Sequence, residues 1–296
     1  MASRGLGQNA RTTGGAGILP AAFLRLARLM RLELVVFSIA VLPVAAAPGL
    51  REAPNAGAVP VNQLAVSGNA CGPAALLTAL RFGDANWQRA ATAVAGDTDK
   101  ARLVSIIRIW GLRPSASLTG RKRWTRQGVN VDDLCAMANE MTRSQLLPLM
   151  KRDVLLSLPG ESPQKLLART HDRLETSLRR GLPPIISIRR IARRVDQNKV
   201  PSWVVLQGHY VTVVGIPGKL EKNATSVPIT YLDPWGGKRC TGRLATSTRA
   251  FLSGQAGEST DAPCLEADFP QADVGKKLAK ATETTVLTLA AVIGKW

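Results

Sequence analysis

The sequence predicts an α+β protein in which helices come first and strands come last. Three observations carry this. Helix start signals with apolar residues at 3.6-residue spacing recur from Cys71 to Gly181. From Ile185 to Gly237 the pattern changes to β-branched apolar runs bounded by Gly and Pro. The chain is 45% hydrophobic over 296 residues, which excludes a disordered chain and suffices for one sizeable core or two small ones. Segregated helices and strands of this kind point to α+β architecture.

In order, Pro48–Pro60 is rich in Ala, Pro and Gly and is expected to be a linker. Val61–Val66 reads as a short strand or extended approach. Cys71–Arg81 is the first helix, with Pro73 in its opening turn and a stop near Gly83. Asn86 is expected to cap a helix starting at Trp87. Leu103, Ile106, Ile107 and Trp110 share one face of a helix over Asp97–Trp110. Pro114–Gln127 is a polar, basic loop. Asn130 caps a helix carrying Leu134, Met137 and Ala138, whose apolar stripe reads as core.

Ser162-Pro163 opens a longer helix running through His171 to Gly181. His171 lacks a strand context and reads as solvated or as a packing residue on that helix. After the break at Gly181–Pro184, Ile185–Ile188 is a buried strand. Arg189–Arg194 holds four arginines in six residues, read as a solvated surface loop in preference to a grip on an anionic substrate. Trp203–Leu206 and Tyr210–Ile216 are strand-like, and so is Val227–Leu232, which ends at Asp233-Pro234. Further on, Arg249–Leu252 reads as a short helix and Asp261–Asp273 as an acidic loop. Thr285–Ile293 is a last strand or helix, too short to span a membrane.

The N-terminus has the layout of an export signal. Arg25, Arg28 and Arg31 flank an apolar run, Leu34–Ala47, that ends in small residues. The expected organisation is a signal peptide over 1–47, a linker over 48–60 and one domain over 61–296, so that the protein is periplasmic or secreted. An uncleaved membrane anchor is the minor alternative. The formal charge is +18, and removing 1–47 takes away five Arg and one Glu and leaves +14. That balance favours anionic partners such as cell-wall polymer, a membrane surface or acidic protein. No nucleic-acid motif is present, so nucleic acid is not an expected partner.

Four cysteines follow the leader: Cys71, Cys135, Cys240 and Cys264. Export permits disulfides, and Cys240 and Cys264 could pair across a loop-rich stretch. Cys135 lies in an apolar helical pattern and is expected to be reduced and buried. No CxxC pair or Cys/His cluster has metal-ligand spacing, so neither metal nor cofactor is expected.

Cys71 is the residue that draws chemical attention. In Asn69-Ala70-Cys71-Gly72-Pro73-Ala74-Ala75 it stands at a helix N-terminus, where the helix dipole favours a thiolate. A merely packing cysteine is the alternative. His209 begins an apolar strand in Gln207-Gly208-His209-Tyr210-Val211-Thr212-Val213, and Asp233 ends another in Tyr231-Leu232-Asp233-Pro234-Trp235-Gly236-Gly237. Antiparallel pairing of these strands would bring Asp233 near His209.

The order Cys, His, Asp, with a CGPAA helix start, a GHYVTVV strand and a strand ending in DP, resembles the papain-like cysteine peptidases. The bacterial branch that includes the double-glycine (bacteriocin-leader) peptidases is the most similar. The resemblance spans roughly Gln63–Gly237 in outline and is specific only at the three motifs. It implies an N-terminal helical part carrying the Cys and a C-terminal antiparallel sheet carrying His and Asp. It also implies hydrolysis of peptide bonds in a peptide or protein substrate through a thioester, without a cofactor. Cys71 would be the nucleophile, His209 the base and Asp233 the residue that orients the imidazole. Gln63 would donate to the oxyanion beside the Cys71 backbone N–H, although it stands eight residues upstream where about six is usual. Asn69 is the rival donor, or a helix cap. A cell-wall peptide amidase or transacylase with the same triad is one alternative. A catalytically silent binding protein of the same fold is another. Double-glycine peptidases are usually fused to a transporter; no such segment accompanies this sequence, so leader processing is not implied.

Overall fold

The computed structural model describes residues 49–195, 201–247, 250–252, 261–272 and 274–296. All of them fall within one compact unit, Ala45–Trp296. The signal-peptide region expected over 1–47 lies outside the described residues.

The helices are α1 (Cys71–Phe82), α2 (Ala85–Ala93), α3 (Asp99–Ile106), α4 (Val131–Thr142) and α5 (Pro163–Arg179). Their starts follow capping chemistry. Asp84, Thr98, Asn130 and Ser162 each accept from a backbone N–H of the first turn, and Pro163 occupies the first helical position of α5. The second helix is therefore capped by Asp84 and starts at Ala85, which corrects the expected Asn86 cap: the carboxylate accepts from both Asn86 and Trp87. The third ends in a π-helical turn, Ile107–Gly111, so the predicted helix over 97–110 is shorter and unevenly wound. Of these five helices, α1 is the one that begins without a side-chain cap, at Ala70.

The strands are β1 (Leu50–Glu52), β2 (Trp124–Thr125), β3 (Gly128–Val129), β4 (Lys151–Val154), β5 (Ile185–Val195), β6 (Pro201–Pro217), β7 (Ser226–Asp233), β8 (Lys238–Ala245), β9 (Ala250–Leu252), β10 (Asp261–Pro263), β11 (Glu266–Asp268) and β12 (Thr285–Gly294). Six of them form a closed cycle of antiparallel pairings, β6-β5-β12-β11-β8-β7 and back to β6. Closure leaves these strands without a free edge along the ring. β1 extends the sheet at β6, and β4 pairs with β12. The class is thus mixed helix and antiparallel sheet.

Two main apolar clusters result. One joins Leu166, Leu174 and Leu178 of α5 to sheet residues such as Val211, Val213, Tyr231 and Leu289. The other lies among α1–α4 and reaches the sheet through Ile185, Tyr210 and Ile293. Alternation along β6 explains the division. Val211 and Val213 enter the first cluster, whereas Tyr210 and Thr212 face the helices, bonding Val129 O at 3.0 Å and Ala75 O at 3.0 Å.

Several expectations are corrected. The 48–60 stretch is not a detached linker: β1 pairs with β6, and Ala53 is buried in the sheet-side cluster. Val61–Val66 holds a 3-10 turn, Gln63–Ala65, in place of a strand. The arginine run is the second half of β5: Ile191 and Ala192, on opposite faces, are both buried, and Arg194 pairs with Glu283 at 2.8 Å. The two short strands expected around Gln207 are one, β6, with a bulge against β5 near that residue. Ala250–Leu252 is a strand, not a helix, and pairs with β10 from the expected acidic loop. Of the two readings of His171, packing holds: it is buried, and its Nε2 donates to Pro217 O at 2.7 Å. Cys240 and Cys264 are both free and buried, in separate apolar clusters. Cys135 is buried as expected; burial pushes its thiol up to about 11. Among the described residues no helix is long and apolar enough to cross a membrane.

Candidate active site

The uncapped start of α1 is the floor of the site. Cys71 is its first residue and is 8% exposed. Ala74 N bonds Ala70 O at 2.9 Å, and Pro73 has no N–H, so the orphan donors of this helix end are the N–H groups of Cys71 and Gly72. Gly72 is required by close approach: a Cβ there would lie 2.4 Å from Val129 Cγ1. The β2–β3 hairpin is thereby seated against the helix start. It is tied there by Trp124 Nε1, which donates to Asn69 O at 3.1 Å.

His209 and Asp233 come from adjacent strands. β6 and β7 pair with Thr212 opposite Leu232. Asp233 follows Leu232 directly and His209 stands three residues before Thr212, so both lie at the same end of this pair. His209 Nε2 and Asp233 Oδ1 are 2.7 Å apart, and both residues are buried. The same Oδ1 accepts from Trp235 N at 2.8 Å, which fixes the carboxylate within its own turn. The Cys71 side chain is near enough to His209 to act on its charge, and the ring nitrogen not bound to Asp233 is Nδ1. Burial works against the charged imidazole. The hydrogen bonds to Asp233 and Cys71, and their negative charges, overcome it and push His209 up to about 9. The three residues singled out in sequence are thus brought together from three elements.

Gln63 is completely buried and is bound to the same turn, its backbone N–H donating to Pro234 O at 2.9 Å. Its Nε2 donates to Gly68 O at 2.6 Å, while Oε1 has no partner among the described residues. One N–H of the amide is therefore used to orient the side chain, and the second is uncommitted. Asn69 is exposed and turned away, its Nδ2 bonded to Arg126 O, and it does not cap α1.

Sequence reasoning missed Asn62. Its Oδ1 accepts from Leu64 N at 3.0 Å and from Gly236 N at 3.2 Å, joining the turn that carries Gln63 to the one that follows Asp233. An Asn beside the candidate donor was the available signal. It also missed the cavity beside the pair. A space of about 410 Å³ is bounded by Gln207, His209, Asp233 and Trp235 on one side and by the segment 274–278 on the other. That segment lies some forty residues beyond the last motif and carries no pattern that would reveal its place.

Chemically, the arrangement can hold a sulfur anion beside an imidazolium, with backbone N–H groups and an amide nearby. Among the described residues no group of three or more His, Cys, Asp or Glu is placed to hold a metal ion. No protein-family profile matches the chain, and no curated protein matches it significantly.

Proposed function

We propose that the protein is an exported cysteine peptidase with a papain-like arrangement, in which α1 carries the nucleophile and the antiparallel sheet carries its base. The observation that carries this reading is the buried His209, bonded through Nε2 to Asp233 at 2.7 Å and pushed up to about 9 by Asp233 and by Cys71 at the start of α1, against the effect of burial. An imidazolium at neutral pH beside a sulfur is the ion pair that a thiolate nucleophile requires.

In the proposed reaction the Cys71 thiolate attacks the carbonyl carbon of a peptide bond. The oxyanion so formed lies against the Cys71 backbone N–H and the uncommitted N–H of Gln63 Nε2. As the C–N bond breaks, His209 gives its Nδ1 proton to the leaving amine, and a thioester remains on sulfur. Water then attacks the thioester while the neutral imidazole takes its proton, and expulsion of sulfur restores the ion pair. Asp233 keeps the ring oriented and stabilises its charge throughout. The apolar run at 34–47 after three arginines supports export, and the positive charge supports acidic or anionic surroundings for the substrate.

The test is alkylation. Iodoacetamide at mildly acidic pH is expected to label Cys71 in preference to the other three cysteines, and His209→Ala is expected to abolish that labelling. Peptide mapping that finds Cys71 unlabelled until alkaline pH overturns the reading. Cleavage of a peptide library, set against digestion of purified cell wall, distinguishes a peptidase from a wall amidase.

A further inference from the structure

The cavity beside His209 has one wall made by the candidate active-site pair and Trp235, and a second made by Val274–Leu278. The second wall is fastened to the sheet beside His209. Gly275 N donates to Gln207 Oε1 at 2.8 Å, and Arg190 Nε donates to Val274 O. Gly275 is left-handed at φ 62°, and a Cβ there would meet Gln207 Cβ at 3.1 Å and Arg190 Cβ at 3.3 Å, so the segment lies tight on β5 and β6. At its rim stand Lys276 and Lys277, both exposed, followed by Leu278. Lys277 makes no hydrogen bond or ion pair among the described residues. Asp233, the acidic residue of the cavity, is already committed to His209 and to Trp235 N.

Position relative to the scissile bond follows from the chemistry. The leaving amine takes its proton from His209, so the residues on the leaving side of the bond must pass on the imidazole side of Cys71. The imidazole itself is part of the wall of this cavity, with Asp233 and Trp235 beside it. We infer that the cavity is the leaving-side substrate subsite and that it selects an acidic residue, whose methylene groups lie on Trp235 and whose carboxylate meets Lys277. This rests on the peptidase reading and adds the substrate class to it. A basic rim that is solvent-facing gives specificity more through steering and register than through raw affinity.

The experiment uses quenched fluorescent peptides identical except for the first leaving-side residue, which is Glu, Ala or Lys. They are compared at low ionic strength with the wild-type protein and with Lys277→Glu. The expected result is a kcat/KM for the Glu peptide about fivefold above that for the Lys peptide, in line with an exposed ion pair, and a shrinking ratio as salt is raised. Lys277→Glu is expected to reverse the order, and Lys277→Gln to remove it. Lys277 is exposed, so these variants keep the fold, which a thermal melt checks. Equal rates for the three peptides, with Cys71 still alkylated at mildly acidic pH, overturn the subsite and leave the peptidase reading standing. No cleavage of any peptide together with no acidic-pH alkylation overturns both.

Discussion

At the scale of single residues, the charge on His209 sets the pH behaviour. Its proton is held to about 9 by Asp233 and Cys71 against the effect of burial. Peptide cleavage is therefore expected to fall along an alkaline limb near pH 9, where the imidazolium that protonates the leaving amine is lost. Asp233→Asn removes a group that raises the value, so the limb is expected to move to lower pH, and kcat/KM profiles of the two proteins check this. The same group links stability to pH. Its folded value lies above the ordinary 6.5, so its contribution is fully present below 6.5 and is lost as pH rises through about 9. Thermal melts of the wild type are expected to drop between pH 7 and pH 9.5, with a smaller drop in Asp233→Asn. Gln63 acts at another point. Gln63→Ala is expected to lower kcat by about 10²–10³, the usual cost of one oxyanion donor, while leaving acidic-pH alkylation of Cys71 in place, because the ion pair does not include the amide. A fall in alkylation equal to the fall in kcat would remove Gln63 from that role.

At the scale of elements, the site depends on how the start of α1 meets two turns. Gly72 lets Val129 approach so closely that a methyl group at that position has no room. Gly72→Ala is expected to cost about 1–3 kcal/mol through overpacking, read as a lower urea midpoint with an unchanged slope. Asn62→Ala removes the acceptor shared by Leu64 N and Gly236 N. Its expected signature is a loss in kcat larger than its loss in stability, since the Gln63 turn is freed from the Asp233 turn. What was legible in the sequence divides along the same line. Helix starts at Asn130 and Ser162, the strand ending at Asp233 and the Cys71 helix could all be read, because a cap or an apolar period is a local signal. The meeting of His209 with Asp233 could be anticipated from antiparallel pairing. The 3-10 turn at Gln63, the bulge near Gln207 and the placement of Arg190 in a strand could not. Each depends on a partner distant in sequence: Pro234 bonds the Gln63 backbone, the bulge arises where β6 pairs with β5, and Arg190 is paired on both sides, with Gln207 of β6 and Leu287 of β12.

At the scale of the whole molecule, the closed cycle of strands makes the C-terminal residues central to the fold, although their sequence is the least informative part of the chain. β12 is the penultimate stretch of the protein, yet it pairs with β5, β4 and β11, and all but its first residue are buried. It also supplies Ile293 to the helix-side cluster and Leu289 to the sheet-side cluster, so both apolar clusters include it. Without it the β5 edge facing it and the β11 edge would carry unpaired backbone groups in apolar surroundings, each a costly loss. A protein ending at Leu278 would keep Cys71, His209, Asp233, Gln63 and the wall at 274–278, so a site assembled from local pieces would survive the truncation. The ring predicts the opposite. The truncated protein is expected to show no cooperative urea transition and no near-ultraviolet dichroism, and its Cys71 is expected to lose preferential acidic-pH alkylation, because the register that sets Asp233 beside His209 depends on β7 being held between β6 and β8 in a closed sheet. A truncated protein that still unfolds cooperatively and alkylates selectively at Cys71 would show that the β6–β7 pair stands on its own and that closure contributes nothing to the site.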